Sequence, residues 1–500
     1  MIQAMPSFSR LQFSSLASIS LAFFLAFFLI LAFTPGSSVA AVKRGPTDLP
    51  SLGDASSRTI SPELERKIGE SFLKQLHAQV KTSDDPILKY FIERQLVDLA
   101  QYSDLREGIM SVIVVDNPNI NAFAAPGGVV GINLGLLLYA QDVHEYASVI
   151  AHELAHLSQR HFARGVEEQR AQTIPMIASL IAAIIIGAAG GGDAALAALG
   201  SAQAAAQAGA LRFSRERETE ADRVGFNTLV RASHDPSAMS RMFERMQRAY
   251  RFTRKPPEFL LTHPLSETRI ADARNQALDT PRGNYEDSVD YQLMRTRAEV
   301  HYQKNAALGI SLYRNRLRDN PVDIAANYGL ALSLSHNDEH EEALRRVQEL
   351  LHLNPQSILY QAAYADLLIA AERLDQAREI LSHNLVLNPD NAPLSALYAR
   401  ALIESGLHTE AEAVLERQSQ IRPNDIDVWY NLAETAGLAG NITGVHLARA
   451  EYFYLHGAYH RSIQHLEYAQ RLVTRTNPQL NSRLAQRIQD LRTAIRIAES

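Results

Sequence analysis

The stretch "VIAHELAHLSQRH", Val149 to His161, sets two histidines four residues apart, with Glu153 directly after the first. On a helix, residues four apart share a face, so His152 and His156 can offer two ring nitrogens to one cation. Glu153 sits one residue round from His152, close to such a cation and aimed at a water beside it. Zinc lowers the pKa of its water to about 7, and a carboxylate so placed takes the proton as the water attacks a polarised carbonyl. The competing reading is an exposed helix with chance histidines, because HExxH alone matches many unrelated sequences. Asp142, with Glu145 three residues on, makes a capping box that opens this helix.

A catalytic zinc needs a third protein ligand and an open fourth position. The chain has no cysteine, so any metal site must use histidines and carboxylates, and neither disulfides nor lipid-modified cysteines contribute. A second helix, "SRERETEADRVGF" from Ser214 to Phe226, is rich in acids that could serve: Glu216, Glu218 and Glu220. Its plain alternative is a solvated helix face.

Upstream of the quoted stretch, helical patterns run from Pro62 to Gln101. "SVIVV", Ser111 to Val115, is β-branched and reads as a strand. "NAFAAPGGVVGIN", Asn121 to Asn133, reads as strand, Pro-Gly-Gly turn and strand. The first 40 residues read as an export signal. Arg10 is the only charge before the apolar run Leu21 to Phe33, and Ala40 follows a stretch of small residues. That run is short for a spanning helix, which needs about 20 residues; an uncleaved anchor is the rival. Cleavage removes Arg10 and no acid, taking the net charge from −6 to −7. Residues 41–61, rich in Pro, Gly and Ser, read as a flexible lead-in.

The chain's 500 residues suggest about three domains, and 46% apolar with 21% charged residues is the composition of folded protein. Both signs of charge are scattered, so no polybasic surface points to nucleic acid. The segment 174–209 is almost free of charge. It reads as a buried or flexible helical hairpin, or else as a lid or a loop making peripheral membrane contact.

From about Asp287 the chain repeats itself. Pro321, Pro355, Pro389 and Pro423 recur every 34 residues; Ala331, Ala365, Ala399 and Ala433 keep the same period, as do Ala343, Ala377 and Ala411. This is the tetratricopeptide signature: small residues let paired helices approach closely, and Pro ends each pair. The arginine-rich stretch Arg471 to Ser500 reads as the cap of the solenoid.

With these motifs on the page, the sequence resembles the HtpX-like and CAAX-prenyl-type zinc metallopeptidases, which follow HExxH with a Glu-x-x-x-Asp helix. The resemblance aligns that motif with Glu218 and Asp222, implying Glu218 as third ligand and Asp222 as the group that holds a ligand histidine. Glu216 and Glu220 are then the solvated face. "NAFAAPGG" resembles the family's edge-strand segment, implying that Asn121, Ala122 and Phe123 could bind a peptide as an added strand; a core hairpin is the alternative. "HPLSETRIADA" also matches, and implies that His263 can fill the fourth zinc position and keep the enzyme latent, against an ordinary loop histidine or a donor to substrate. His144 and His161, outside the ligand pair, read as surface histidines.

The expected fold is mainly α: an α+β zincin-like metallopeptidase domain with a small β-sheet over residues 62–286, then an α-solenoid of tetratricopeptide repeats over 287–500. Joined to the export signal, the whole resembles a periplasmic branch of the family. That implies one zinc ion per chain, proteolysis of proteins, and as partners outer-membrane β-barrel precursors and the β-barrel assembly machinery. The rival function is a chaperone or scaffold that uses the repeats while the zinc is structural or blocked; the presence of Glu153 speaks against it, since a structural site needs no base. An integral-membrane prenyl peptidase is excluded by too few apolar segments.

Overall fold

The computed structural model describes residues 60–168, 185, 215–251, 258–281 and 283–499. The export signal, almost all of the lead-in, and the apolar segment 174–209 apart from Ile185 lie outside the described residues. Among those described, no helix is long and apolar enough to cross a membrane. As expected, the chain is mostly helical with one small sheet.

Helices α1 (Pro62–Gln79) and α2 (Pro86–Ala100) both begin with proline, where the missing N–H has no intrahelical acceptor in any case. Ser61 caps α1 by accepting from Leu64 N, and Asp85 caps α2 by accepting from Ile87 N and Leu88 N. Strands β1 (Ser111–Val115), β2 (Ala122–Ala125) and β3 (Val129–Asn133) form a sheet of order β1-β3-β2, with β1 parallel and β2 antiparallel to β3. The turn between β2 and β3 takes positive φ at Gly127 and Gly128, the Pro-Gly-Gly turn read from the sequence. Side chains of β3 are buried along its whole length.

Then come α3 (Leu134–Tyr139), α4 (Val143–Ser158), α5 (His161–Glu168), α6 (Arg215–Arg231), α7 (Ser237–Arg251), α8 (Glu258–Thr262) and α9 (Glu267–Leu278). Asp142 caps α4 by accepting from Glu145 N at 2.8 Å; the return bond from the Glu145 carboxylate goes to Gln141 N instead of Asp142 N. Every residue of α4 from Val143 to His156 is buried, because α2, β2, α6 and α7 all pack against it. Such a helix has no solvent face, whatever its polar residues suggest.

The packing of α6 on α4 places the second motif. A Cβ on Gly225 would lie 3.0 Å from Ala151 O and 3.1 Å from His152 N, so only glycine lets the two backbones come this close. Gly225 shares a helix face with Asp222 and Glu218, one and two turns earlier. The absent side chain thus brings both carboxylates under His152.

Beyond α9, helix α10 (Val289–His301) leads into helix pairs in the expected register. Ala331, Ala365, Ala399 and Ala433 are buried on the first helices of the pairs, and Ala343, Ala377 and Ala411 on the second. The four prolines each fall two residues after a second helix, which end at Asp319, Leu353, Leu387 and Ile421. The turns inside the pairs that begin at Ile324, Ile358, Ala392 and Ile426 take positive φ at Asp338, Glu372, Gly406 and Gly440, again 34 apart. The repeats fold back onto the first helices: Lys89 lies 3.2 Å from Asp425 and 3.0 Å from Asp427, and Arg422 2.7 Å from Glu93. One hydrophobic core runs from Ile87 in α2 to Ala401 in the repeats.

Replacing Gly225 by valine should separate α6 from α4 and destabilise the fold by about 1–3 kcal/mol, measured by urea unfolding. A Gly225→Val protein as stable as wild type would show that this close approach is not needed.

Candidate metal centre

Histidines 152 and 156 leave one side of α4, and their Nε2 atoms lie 3.0 Å apart. Glu218, on α6, brings Oε2 to 3.5 Å from His152 Nε2 and Oε1 to 3.5 Å from His156 Nε2. His263, just beyond α8, places Nδ1 3.3 Å from His152 Nε2 and 3.2 Å from Glu218 Oε1. These four side chains offer ligand atoms that all lie within 4.8 Å of one another, and all four are buried. Donors at about 2.0–2.1 Å from a tetrahedral zinc ion lie about 3.3 Å apart. The spacing and the chemistry of the set, three imidazoles and a carboxylate without sulfur, therefore fit such an ion. The structure brings together every metal-site residue named from the sequence.

Glu153 is fully buried, and its carboxylate oxygens make no hydrogen bond among the described residues; His263 Nε2 approaches Oε1 at 3.4 Å. A buried carboxylate without donors is costly unless something reaches it, such as a water or a cation nearby. Asp222 Oδ1 lies 3.0 Å from His152 Nδ1, a charge placed to keep the proton on Nδ1 and turn Nε2 to the site. Arg269 on α9 holds the carboxylates: its guanidinium donates to both Asp222 oxygens at 2.6 and 2.7 Å, lies 2.8 Å from Glu218 Oε2, and donates to Pro264 O at 2.8 Å. The same arginine therefore fixes the loop that carries His263. Phe259 stacks on the His263 ring at 4.7 Å.

The electrostatics follow from these contacts. Burial works against a charge on His152, but the hydrogen bonds and charges of Asp222 and Glu218 outweigh it and raise the imidazole to about 9. Burial, together with the charge on His152, holds His156 well below its ordinary value. Burial alone would raise Glu218 and Asp222, yet the facing imidazoles lower Glu218 and Arg269 lowers Asp222. Both carboxylates are thus ionised at neutral pH.

Two readings from the sequence are corrected. His161 and His144 are not surface histidines: His161 is fully buried with Nδ1 2.9 Å from His156 Nδ1, and His144 is buried with Nδ1 2.9 Å from His234 Nδ1. The reading assumed that α4 had a wet face, whereas neighbours enclose it. Glu220 is likewise not merely solvated; its carboxylate lies 3.2 Å from His161 Nε2 and accepts from Arg164 at 2.8 Å. Glu216 is exposed. Arg269 stood in the quoted "HPLSETRIADA" without a role.

Strand β2 lies at an edge of the sheet and packs against α4. Asn133 N donates to Asn121 O, and Phe123 and Ala125 pair with Gly131 and Val129. By alternation the backbone groups of Ala122 and Ala124 point away from β3. The side chains of Asn121, Ala122 and Phe123 are buried, so the segment is at once edge strand and core.

A model of Peptidase family M48 matches residues 86–277, and a tetratricopeptide repeat model matches residues 368–434. A beta-barrel assembly-enhancing protease of Escherichia coli (strain K12) is 30% identical over 458 residues, covering 88% of this chain and 91% of that one. A Vibrio cholerae protein that carries the same description provisionally is 33% identical over 440 residues, covering 87% of this chain and 90% of its own. The mitochondrial metalloendopeptidase OMA1 of Schizosaccharomyces pombe is 29% identical over 217 residues, 42% of this chain and 60% of that one.

Arg269 compensates two buried carboxylates, so Arg269→Met in chelator-treated protein should cost about 3–5 kcal/mol of stability. Urea unfolding checks this; a loss below about 1 kcal/mol would mean that the imidazoles alone balance Glu218 and Asp222.

Proposed function

The chain belongs to the family of the beta-barrel assembly-enhancing proteases, M48 peptidases with tetratricopeptide repeats, and from that premise we propose a zinc endopeptidase that is held latent until a protein substrate engages it. The convergence of His152, His156 and Glu218 beside the buried, undonated Glu153 carries this reading. The family implies a metal, and the donor set favours one zinc ion per chain, with His152, His156 and Glu218 as its protein ligands. When bound, that ion would polarise the scissile carbonyl and acidify a water.

Glu153 is the base that accepts the proton of the attacking water and returns it to the leaving amine. Asp222, on Nδ1 of His152, fixes the tautomer that turns Nε2 inward. The outward backbone groups of the half-buried Ala124, next to α4, suit an extended peptide added to β2, with the buried Asn121, Ala122 and Phe123 leading into that edge.

His263 is the latch. Its Nδ1 stands where a fourth donor would stand, and its Nε2 faces Glu153 Oε1. A residue in that place excludes water from the fourth position and engages the base as well. The same contacts support a resting state in which the repeats act while the peptidase is silent, which unites the protease and the chaperone readings in one molecule. The substrates we propose are outer-membrane β-barrel chains and the partners their assembly machinery, gripped by the repeats. The first 40 residues, as an export signal, would place this work in the periplasm.

Glu153→Gln should retain zinc and fold while cleavage of a casein-type substrate falls by about 10²-fold or more; near wild-type cleavage by the zinc-loaded variant would remove Glu153 as base. His263→Ala should do the reverse and raise cleavage without loss of zinc. Were His263 instead a donor to the oxyanion, its removal would lower the rate by about 10²-fold, so a fall with zinc retained rejects the latch.

A further inference from the structure

The two histidines of the HExxH motif are backed differently at Nδ1. His152 Nδ1 lies 3.0 Å from the carboxylate of Asp222, which Arg269 holds. His156 is backed at Nδ1 by an imidazole. It meets the ring of His161, whose far nitrogen meets Glu220, which Arg164 holds. We propose that His161 and Glu220 are positioning residues that orient His156 through a relay, and that retention of the metal depends on them. The proposal rests on the reading of His156 as a ligand.

The proton positions follow from the geometry. With Nε2 of His156 turned to the metal, its proton must sit on Nδ1, and the acceptor 2.9 Å away is His161 Nδ1. His161 then carries its own proton on Nε2 and donates it to Glu220 Oε2 at 3.2 Å. Only one tautomer of each ring satisfies the chain, so the carboxylate at its end selects both. The His161 ring is fully buried, at 0% exposure, and cannot turn to water for a substitute partner. Arg164, 2.8 Å from the same Glu220 oxygen, does for the relay what Arg269 does for Asp222.

This pattern does the work assigned to such outer groups: it fixes ring orientation and raises donor strength, and its loss typically costs about 10–100-fold in metal affinity. A bolt that only joins α5 to α6 would change stability and leave affinity alone. It would also be indifferent to whether the side chain at 161 can accept a hydrogen bond.

The test is a zinc dissociation constant for the full-length protein, measured by competition with a chromogenic chelator at neutral pH. His161→Phe keeps an apolar ring of similar volume and should weaken zinc binding about 10–100-fold. His161→Gln, able both to accept and to donate, should recover most of that loss. Glu220→Gln, at a partly exposed position that folding tolerates, should weaken binding several-fold, and the exposed control Glu216→Ala should not change it. The relay is overturned if His161→Phe and Glu220→Gln, both folded by circular dichroism, bind zinc within about twofold of wild type. Should His161→Phe fail to fold, Glu220→Gln decides on the same criterion. A wild-type protein that binds no zinc, or a His156→Ala variant that binds it undiminished, overturns the ligand set and the relay with it; unaltered relay variants beside a zinc-binding wild type overturn the relay alone.

Discussion

The structure depends on charge that has been taken out of water. Glu153, Glu218 and Asp222 are all buried on or against the same helix, and the buried guanidinium of Arg269 meets Glu218 and Asp222. Isolated buried carboxylates cost several kcal/mol each unless paired. Glu218 and Asp222, held ionised by their neighbours, carry more negative charge than Arg269 alone offsets, an excess that a divalent cation would cancel. In its absence the raised pKa of His152 supplies part of the balance. The same charge imbalance that makes the centre expensive to fold is what gives it affinity for a metal. It also explains the company this site keeps: the glycine that lets α6 close on α4, the cation–π contact of Arg269 with Phe243, and the guanidinium reaching across to Pro264 O.

The latch role proposed for His263 rests on the same arrangement. His263 is reached by Arg269 through the carbonyl of the next residue, and by Phe259 through ring stacking. Its two nitrogens face different parts of the machinery, Nδ1 towards the donors and Nε2 towards Glu153. A single displacement of the segment after α8 would vacate the fourth position and release the base together.

Much of this was legible in the sequence, and the failures have physical causes. The spacing of His152, Glu153 and His156 is a statement about one helix, and helix geometry is local. Glu218 was not reachable that way. Glu216, Glu218 and Glu220 all stood as candidates until a resemblance chose the register, and the structure distinguishes them through Gly225, whose close approach sets which face of α6 meets His152. His161 is not on α4 at all. The helix stops at Ser158, and Arg160 adopts a positive φ of 50°, so the chain turns and a new helix begins at His161. Continued as one helix, position 161 would point away from His156; the turn swings it back beneath that ring. Arg160 keeps this unfavourable conformation through a distant contact, donating to Glu65 at 2.6 and 2.9 Å and to Ile60 O at 2.8 Å. A turn held by α1 leaves no local signature at residue 160.

The repeats show the same division between local and distant order. Their 34-residue landmarks were readable because each helix pair packs mainly on its neighbours. What the period could not reveal is where the array returns to the rest of the chain, since Lys89 and Asp425 share no sequence spacing. That contact is firm. Burial opposes ionisation of Asp425, but Lys89 and Arg422 outweigh it and lower its pKa from an ordinary 3.8 to about 2. A carboxylate shifted down in this way stabilises the fold above about pH 4 and loses that contribution only as pH falls towards 2. At the other end of the repeats the connection is closer to the chemistry. Asp287 accepts from Val143 N at the start of α4, and Tyr291 OH donates to Leu137 O and Ala140 O just before it. The helix that carries His152, Glu153 and His156 is therefore anchored at its N-terminus by the first residues of the repeat region. These hydrogen bonds are the shortest described link between the first repeat helix and the helix that carries His152, Glu153 and His156.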